Sequence, residues 1–334
     1  MLIWAQFLLC LLLIAVAGYR LSLYGDMIAE KLGLTRTWIG VILVASVTSL
    51  PELVSGISAV TAAHTPDIAV GDVLGSCVFN LVLIVVIDFL HRQASVYDRA
   101  HVGHTLTAAF GVILIGFVGL NLLLARAGLV PSLGHVGLYT PVIVLLYALA
   151  MRVVFQYEQM RGLPTAEVVD ARYQAVSLRR AAWGYALAAA VVVAAGVWLP
   201  FVAKAVAAQH GWGEGFVGTL FVAAVTSAPE AAVSIAAVRL GALDLALGNL
   251  FGSNLFNMVI LALDDLAYTQ APLFSAVEPA HAVSALSAMV MSGIAIVGLF
   301  YRTRQRVLRA VGWTSLFLLA VYLVNAYALY LYGR

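Results

Sequence analysis

Ten stretches of about 20 apolar residues run through the chain, at roughly 2–19, 38–63, 67–90, 102–124, 136–155, 181–207, 215–238, 243–267, 279–300 and 310–331. Each is long enough to cross the hydrocarbon core of a bilayer as an α-helix. Only 10% of the 334 residues are charged, against 63% hydrophobic, whereas soluble domains are about a quarter charged. Cytosolic enzymes, disordered chains and nucleic-acid binders are excluded, and the lipid bilayer is the chain's medium. The expected fold is an all-α integral membrane protein of ten transmembrane helices. The first stretch has the look of a signal peptide, but Met1–Phe7 holds no Lys or Arg, so it reads as a retained helix.

Charge placement orients these spans. Fifteen of the 18 Lys and Arg residues fall in the odd-numbered loops; Arg126, Lys204 and Arg334 are on the other side. Under the positive-inside rule the odd loops face the cytoplasm of the plasma (inner) membrane, and both termini are extracytoplasmic. The chain then divides into a first five-helix repeat (1–155), a charged cytoplasmic linker (156–180) and a second five-helix repeat (181–334). Cys10 and Cys77 lie in apolar runs and indicate no disulfide framework.

The two halves repeat one another. Val47-Thr-Ser-Leu-Pro-Glu52 returns as Val225-Thr-Ser-Ala-Pro-Glu230. Asp67-Ile-Ala-Val-Gly-Asp-Val-Leu-Gly-Ser-Cys-Val-Phe-Asn80 returns as Asp244-Leu-Ala-Leu-Gly-Asn-Leu-Phe-Gly-Ser-Asn-Leu-Phe-Asn257. Glu230 lies 178 residues after Glu52, and Asn257 lies 177 after Asn80. Five spans per half is an odd number, so the second half enters from the opposite side. That is an inverted-topology repeat with broken helices at its centre, a plan of secondary transporters, whose substrates bind near the midplane.

Glu52 and Glu230 sit near the middle of apolar spans, where an acid costs about 2.5–3.5 kcal/mol. Spans two, three, seven and eight contain no Lys or Arg except Arg239 at the very end. A cation or a proton is therefore the natural partner of the two carboxylates. Pro51 and Pro229 each precede a glutamate and push on the carbonyls of Val47 and Val225 four residues back. Together with the hydroxyls of Thr48, Ser49, Thr226 and Ser227, the freed carbonyls make an all-oxygen environment. In the next helix of each half, Ser76 and Asn80, and Ser253 and Asn257, share a helical face, which Asp72 and Asn249 extend. Hard cations such as Ca²⁺ and Na⁺ suit these oxygens, and a charge of −2 balances one Ca²⁺ or two Na⁺. Soft-metal chemistry is disfavoured, because Cys77 stands alone and no His falls in these blocks. The seven histidines, His104 and His281 among them, read as loop-end or isolated interfacial residues.

At these blocks the chain resembles the sodium/calcium exchangers of the calcium/cation antiporter superfamily, whose two repeats carry Gly-Thr-Ser-x-Pro-Glu followed by Gly-Ser-Asn-x-x-Asn or -Asp. The resemblance implies that Glu52 and Glu230 are central ligands. It also implies that Ser49, Ser76, Asn80, Ser227, Ser253 and Asn257 supply side-chain oxygens, and that Thr48, Thr226, Ala45 and Ala223 supply carbonyls. Three departures stand out. Val47 and Val225 replace glycine, Asn257 stands where some members have Asp, and Asp72, which would restore that charge nearer the extracellular mouth, stands where Asn is common. The proton-coupled branch has Gly-Asn-Ala-Thr-Glu, absent here. The middle linker is too short for the calcium-sensing insert of large eukaryotic exchangers.

The expected function is a secondary antiporter, not an enzyme, that exchanges Na⁺ for Ca²⁺ by alternating access, with the first and sixth spans rocking about ions held between Glu52 and Glu230. It needs no cofactor. A cation/proton exchanger, in which the glutamates titrate, is the alternative, and a cation channel is the reading from a different class. A serine hydrolase is disfavoured because no His or Lys is placed beside Ser49 or Ser76 to act as base.

Overall fold

Proline and glycine punctuate a chain that is otherwise helical. The computed structural model describes residues 1–31, 46–91, 95–161, 176–302, 306–307 and 311–332. Along them run α1 (Leu2–Lys31), α2 (Leu50–Ala63, its last turn π-helical), α3 (Pro66–Leu90), α4 (His104–Arg126) and α5 (Tyr139–Arg161). The second half follows the same order: α6 (Leu178–His210), α7 (Glu214–Thr226), α8 (Ala228–Arg239), α9 (Leu243–Ala267), α10 (His281–Tyr301) and α11 (Trp313–Tyr332). Small antiparallel hairpins, β1–β2 (Ser132–Leu133 and Val136–Gly137) and β3–β4 (Arg306–Val307 and Val311–Gly312), precede α5 and α11.

Among the described residues, eight helices are long and apolar enough to cross a membrane. A ninth span is the pair α7 and α8, bent by 45° at Ser227. The second expected span, 38–63, begins outside the described residues, which take in its part from residue 46 onward: a helical stretch at 46–48, the turn at Ser49 and α2. Outer helices present apolar side chains to the lipid, for example Leu8 and Leu12 on α1, Leu145 and Leu149 on α5, and Leu323 and Tyr327 on α11. The interior is built around α3 and α9, the most buried spans.

These two core helices cross in opposite directions. Asn80 donates to Asn254 Oδ1 (3.0 Å), while Asn257 donates to Cys77 Sγ (3.7 Å) and Asn254 to the Cys77 carbonyl (3.1 Å). Cys77 and Asn254 are themselves 177 residues apart, so equivalent positions of the two halves meet at the crossing. Small residues allow the close approach. A Cβ on Gly75 would stand 2.3 Å from the Thr219 carbonyl, and one on Gly218 would stand 2.8 Å from the Ile68 carbonyl. α1 and α6 pack against each other more extensively than any other pair of elements among the described residues. Gly18 of α1 presses on Pro229, and Gly196 of α6 presses on Val54 beside Pro51. The pair thus touches both proline breaks, at glycines 178 residues apart.

Two buried carboxylates at the far ends of α3 and α9 hold the periphery. Asp88 accepts from the backbone N–H groups of Val96 (3.1 Å) and Gly312 (2.8 Å) and from the Ser315 hydroxyl (2.7 Å). Asp265 accepts from the N–H groups of Gly137 (3.0 Å) and Leu273 (2.7 Å), from the Tyr139 hydroxyl (2.6 Å) and from Thr140. Each acid of one half therefore anchors the hairpin before the last helix of the other. A carboxylate with three or four donors is stable when buried. Neither residue lies in the repeated motif blocks, although their spacing of 177 residues marks them as a matched pair.

A second matched set corrects the reading of the histidines. Asp244 lies 3.0 Å from His104 Nε2 and accepts from the His101 N–H (2.8 Å). Asp67 lies 3.0 Å from His281 Nε2 and accepts from the Glu278 N–H (2.7 Å). His281 is fully buried. These two rings stand at loop ends, as the sequence suggests, but they are not isolated: each joins the start of a core helix to the start of α4 or α10 from the other half.

Candidate cation-binding site

Both glutamates stand at the beginning of a helix. The chain turns out of helical geometry at Ser49 (φ −85°, ψ 12°) and at Ser227 (φ −80°, ψ 7°), and α2 and α8 restart with proline in the first turn. Proline is at home there, since its missing N–H has no intrahelical partner at that position. Glu52 and Glu230 follow within the first turn, at the positive end of the helix dipole. Both are buried, with relative exposures of 1% and 0%.

Ser49 and Glu52, like Ser227 and Glu230, have the spacing of a capping box, yet neither serine caps its own helix. The hydroxyls cross to the other repeat instead. Ser49 donates to Glu230 Oε1 (3.2 Å), and Ser227 donates to Glu52 Oε1 (3.3 Å). The core helices complete each arrangement, with Ser76 donating to Glu52 Oε1 (3.4 Å) and Ser253 to Glu230 Oε1 (3.3 Å). Each glutamate is thus held by one serine from each half of the chain.

Thr226 and Thr48 extend the two chains of contacts. Thr226 Oγ1 lies 3.4 Å from Ser76 Oγ and donates to Asp72 Oδ1 (2.7 Å). Thr48 Oγ1 lies 3.4 Å from Ser253 Oγ and donates to Asn249 Oδ1 (3.3 Å). Eleven of the thirteen residues expected from the sequence are therefore buried, in three hydrogen-bonded groups: Glu52, Asp72, Ser76, Thr226 and Ser227; Glu230, Thr48, Ser49 and Ser253; and Asn80 and Asn257, which meet through Cys77 and Asn254. Ala223 is buried beside them, but its carbonyl already accepts from the Ser227 N–H (3.0 Å). Ala45 lies outside the described residues.

The hydrogen-bond inventory is unbalanced in one direction. Glu52 Oε2, Glu230 Oε2, Asp72 Oδ2, Asn80 Oδ1 and Asn257 Oδ1 are buried acceptor oxygens with no donor among the described residues. Burying an ionised carboxylate without compensation is costly, and buried polar oxygens are ordinarily paired. Donor-poor oxygens of this kind, gathered round two acids, are suited to an oxygen-seeking cation. No cluster of three or more His, Cys, Asp or Glu residues suited to a metal occurs among the described residues. The set is one of mixed carboxylate, amide and hydroxyl oxygens, as hard cations prefer.

Comparison with known proteins places the chain among transporters. The family model for "sodium/calcium exchanger protein" matches residues 2–155 and 180–330. The inner membrane protein YrbG of Escherichia coli (strain K12) is 27% identical over 270 residues, covering 78% of this chain and 81% of that protein. The putative antiporter CaxA of Alkalimonas amylolytica is 26% identical over 266 residues, covering 78% and 79%. Among solved structures, the H⁺/Ca²⁺ exchanger CAX matches with a TM-score of 0.73 over 99% of this chain and 85% of that one, at 14% identity. The sodium-calcium exchanger NCX_Mj matches with a TM-score of 0.59 over 97% of each chain, at 20% identity. At these identities the two structures speak for a shared fold.

Proposed function

The chain belongs to the sodium/calcium exchanger protein family, a multi-pass membrane cation antiporter by that membership, and from this premise we propose that it exchanges Na⁺ for Ca²⁺ by alternating access. The ions are held between Glu52 and Glu230. The observation that carries this reading is the set of buried, donor-less oxygens on Glu52, Glu230, Asn80 and Asn257. One Ca²⁺ or two Na⁺ neutralise the paired glutamates, and six to eight oxygens complete a Ca²⁺ shell. An entering ion draws Glu52 and Glu230 away from the serine hydroxyls, whose oxygens then turn their lone pairs towards it.

The ten-helix inverted plan, with repeats at 1–155 and 181–334 joined by 156–180 and both termini extracytoplasmic, is part of the same proposal. In it α1 and α6 are the moving pair. Their contacts at Pro229 and at Pro51 and Val54 transmit a tilt to the two breaks that carry the glutamates.

Exchange of Ca²⁺ for H⁺ is the second reading, favoured by the likeness to a fold that also serves an H⁺/Ca²⁺ exchanger. The Thr-Ser-x-Pro-Glu segments support Na⁺ coupling instead. Radiolabelled Ca²⁺ uptake into proteoliposomes separates the two. Uptake that requires internal Na⁺ and is lost in Glu52→Gln supports Na⁺/Ca²⁺ exchange. Uptake driven by a proton gradient, with no response to Na⁺, replaces it by the second reading. Ca²⁺ conduction without any counter-ion would make the protein a channel.

A further inference from the structure

A third buried acid lies outside the set just described. Asp264, near the end of α9, is 0% exposed, and neither of its carboxylate oxygens has a donor among the described residues. It occupies the space left by the missing side chain of Gly56. A Cβ built there would stand 2.5 Å from Oδ2 and 2.7 Å from Oδ1. Gly56 is four residues beyond Glu52 on the same face of α2, about 6 Å further along the helix axis, and the Asp264 carboxylate packs against it there. Asp264 also lies within electrostatic reach of Asp72, and Ser55, next to Gly56 on α2, is buried with a hydroxyl that has no partner among the described residues. Asp72 keeps one buried oxygen without a donor.

The matched positions of the other repeat close the same space. There Asn249 replaces Asp72, Ser234 replaces Gly56 and Ile87 stands in the place of Asp264. Asn249 accepts from Thr48 and donates to Ser234 Oγ (3.2 Å), so both ends of the amide are satisfied. Three differences thus convert a neutral, hydrogen-bonded flank into one with two carboxylates whose oxygens Asp72 Oδ2, Asp264 Oδ1 and Asp264 Oδ2 have no donor among the described residues. A chain of hydroxyls, Ser76 and Thr226, links Glu52 to Asp72 at the edge of that flank.

We propose that Asp264, Asp72 and Ser55 form an auxiliary cation-binding site beside the central one, on the side where α3 begins and α9 ends. The inference rests on the reading of Glu52 and Glu230 as the central cation ligands. The auxiliary site stages a Ca²⁺ or Na⁺ ion between that side of the membrane and the glutamates. It gives the exchanger an affinity difference between its two faces that the internal repeat alone does not.

The test uses the full-length protein in proteoliposomes, with ⁴⁵Ca²⁺ exchange measured separately from each side, in wild type, Asp264→Asn, Asp264→Glu and Glu52→Gln. The expected result is that Asp264→Asn keeps its maximal rate but needs about tenfold more Ca²⁺ from one side only, and that Asp264→Glu restores most of the loss. Equal half-saturating Ca²⁺ on both sides for wild type and Asp264→Asn overturns the proposal, as does a loss confined to thermal stability. Should Asp264→Asn fail to fold, Asp264→Ile, which carries the residue found at the matched position of the other repeat, decides by the same side-specific half-saturation. If Glu52→Gln exchanges Ca²⁺ like wild type, the central reading fails instead, which distinguishes the two failures.

Discussion

The two flanks of the glutamate pair carry the same plan with different endings. On one, Glu230, Ser253, Thr48 and Asn249 run outward to Ser234, and the last amide donates to the last hydroxyl. On the other, Glu52, Ser76, Thr226 and Asp72 run outward to Asp264, and the series ends in carboxylate oxygens with no donor among the described residues. At the centre the halves are interchangeable, each glutamate held by one serine of its own repeat and one of the other. Towards the rim they diverge in charge. The repeat supplies a symmetric centre, and a few differences at the rim break that symmetry in charge.

Breaking the symmetric part is expected to have the largest effect. Glu52→Gln and Glu230→Gln should each lower Ca²⁺ exchange by about a hundredfold or more, because each removes half the charge that balances the ion. A marked inequality between the two in ⁴⁵Ca²⁺ uptake would show that the central acids are not equivalent. Exchanging the rims sharpens the comparison next. The double variant Asp72→Asn with Asn249→Asp leaves one rim carboxylate on each flank and should reduce the sidedness of half-saturating Ca²⁺ from about tenfold towards equality. Unchanged sidedness in two-sided flux measurements would separate Asp72 from that property.

Packing differences give smaller effects, read as stability in detergent. Gly56→Ala drives a methyl into the Asp264 carboxylate and should destabilise the fold by about 1–3 kcal/mol. The loss should largely disappear in an Asp264→Ala background, and an additive double-mutant cycle would mean the two do not press on each other. Smallest of all is the matched pair of core glycines. Gly71 has the Gly215 carbonyl 3.0 Å from its would-be Cβ, whereas Gly248 meets only a His104 ring carbon at 3.7 Å. Gly71→Ala should therefore lower the melting temperature by a few degrees and Gly248→Ala hardly at all. Equal shifts would contradict the asymmetric packing of α3 and α9.

Much of the site was legible in the linear order of residues. Repeated Thr-Ser-x-Pro-Glu segments identified both breaks, and the polar stripe of Ser76 and Asn80, matched by Ser253 and Asn257, identified the facing helices. Asp88, Asp265 and Asp264 were not anticipated, for two different reasons. The first two are revealed by the repeat spacing once it is applied beyond the motif, but their donors are backbone N–H groups, which no residue type announces. Asp264 has no counterpart in the first half, so no internal comparison points to it.

The sequence by itself determined that the chain lives in a bilayer, that it is duplicated, and that its acids lie amid oxygen donors in apolar helices. Those properties follow from local composition and periodicity, which do not depend on what packs against what. Tertiary structure alone decided the partners. Ser49 and Ser227 reach across to the opposite glutamates rather than capping their own helices, and Asp264 fills the gap over Gly56. Such choices depend on how the crossing of α3 and α9 brings residues more than 170 positions apart within a few ångströms, and no local pattern encodes that distance.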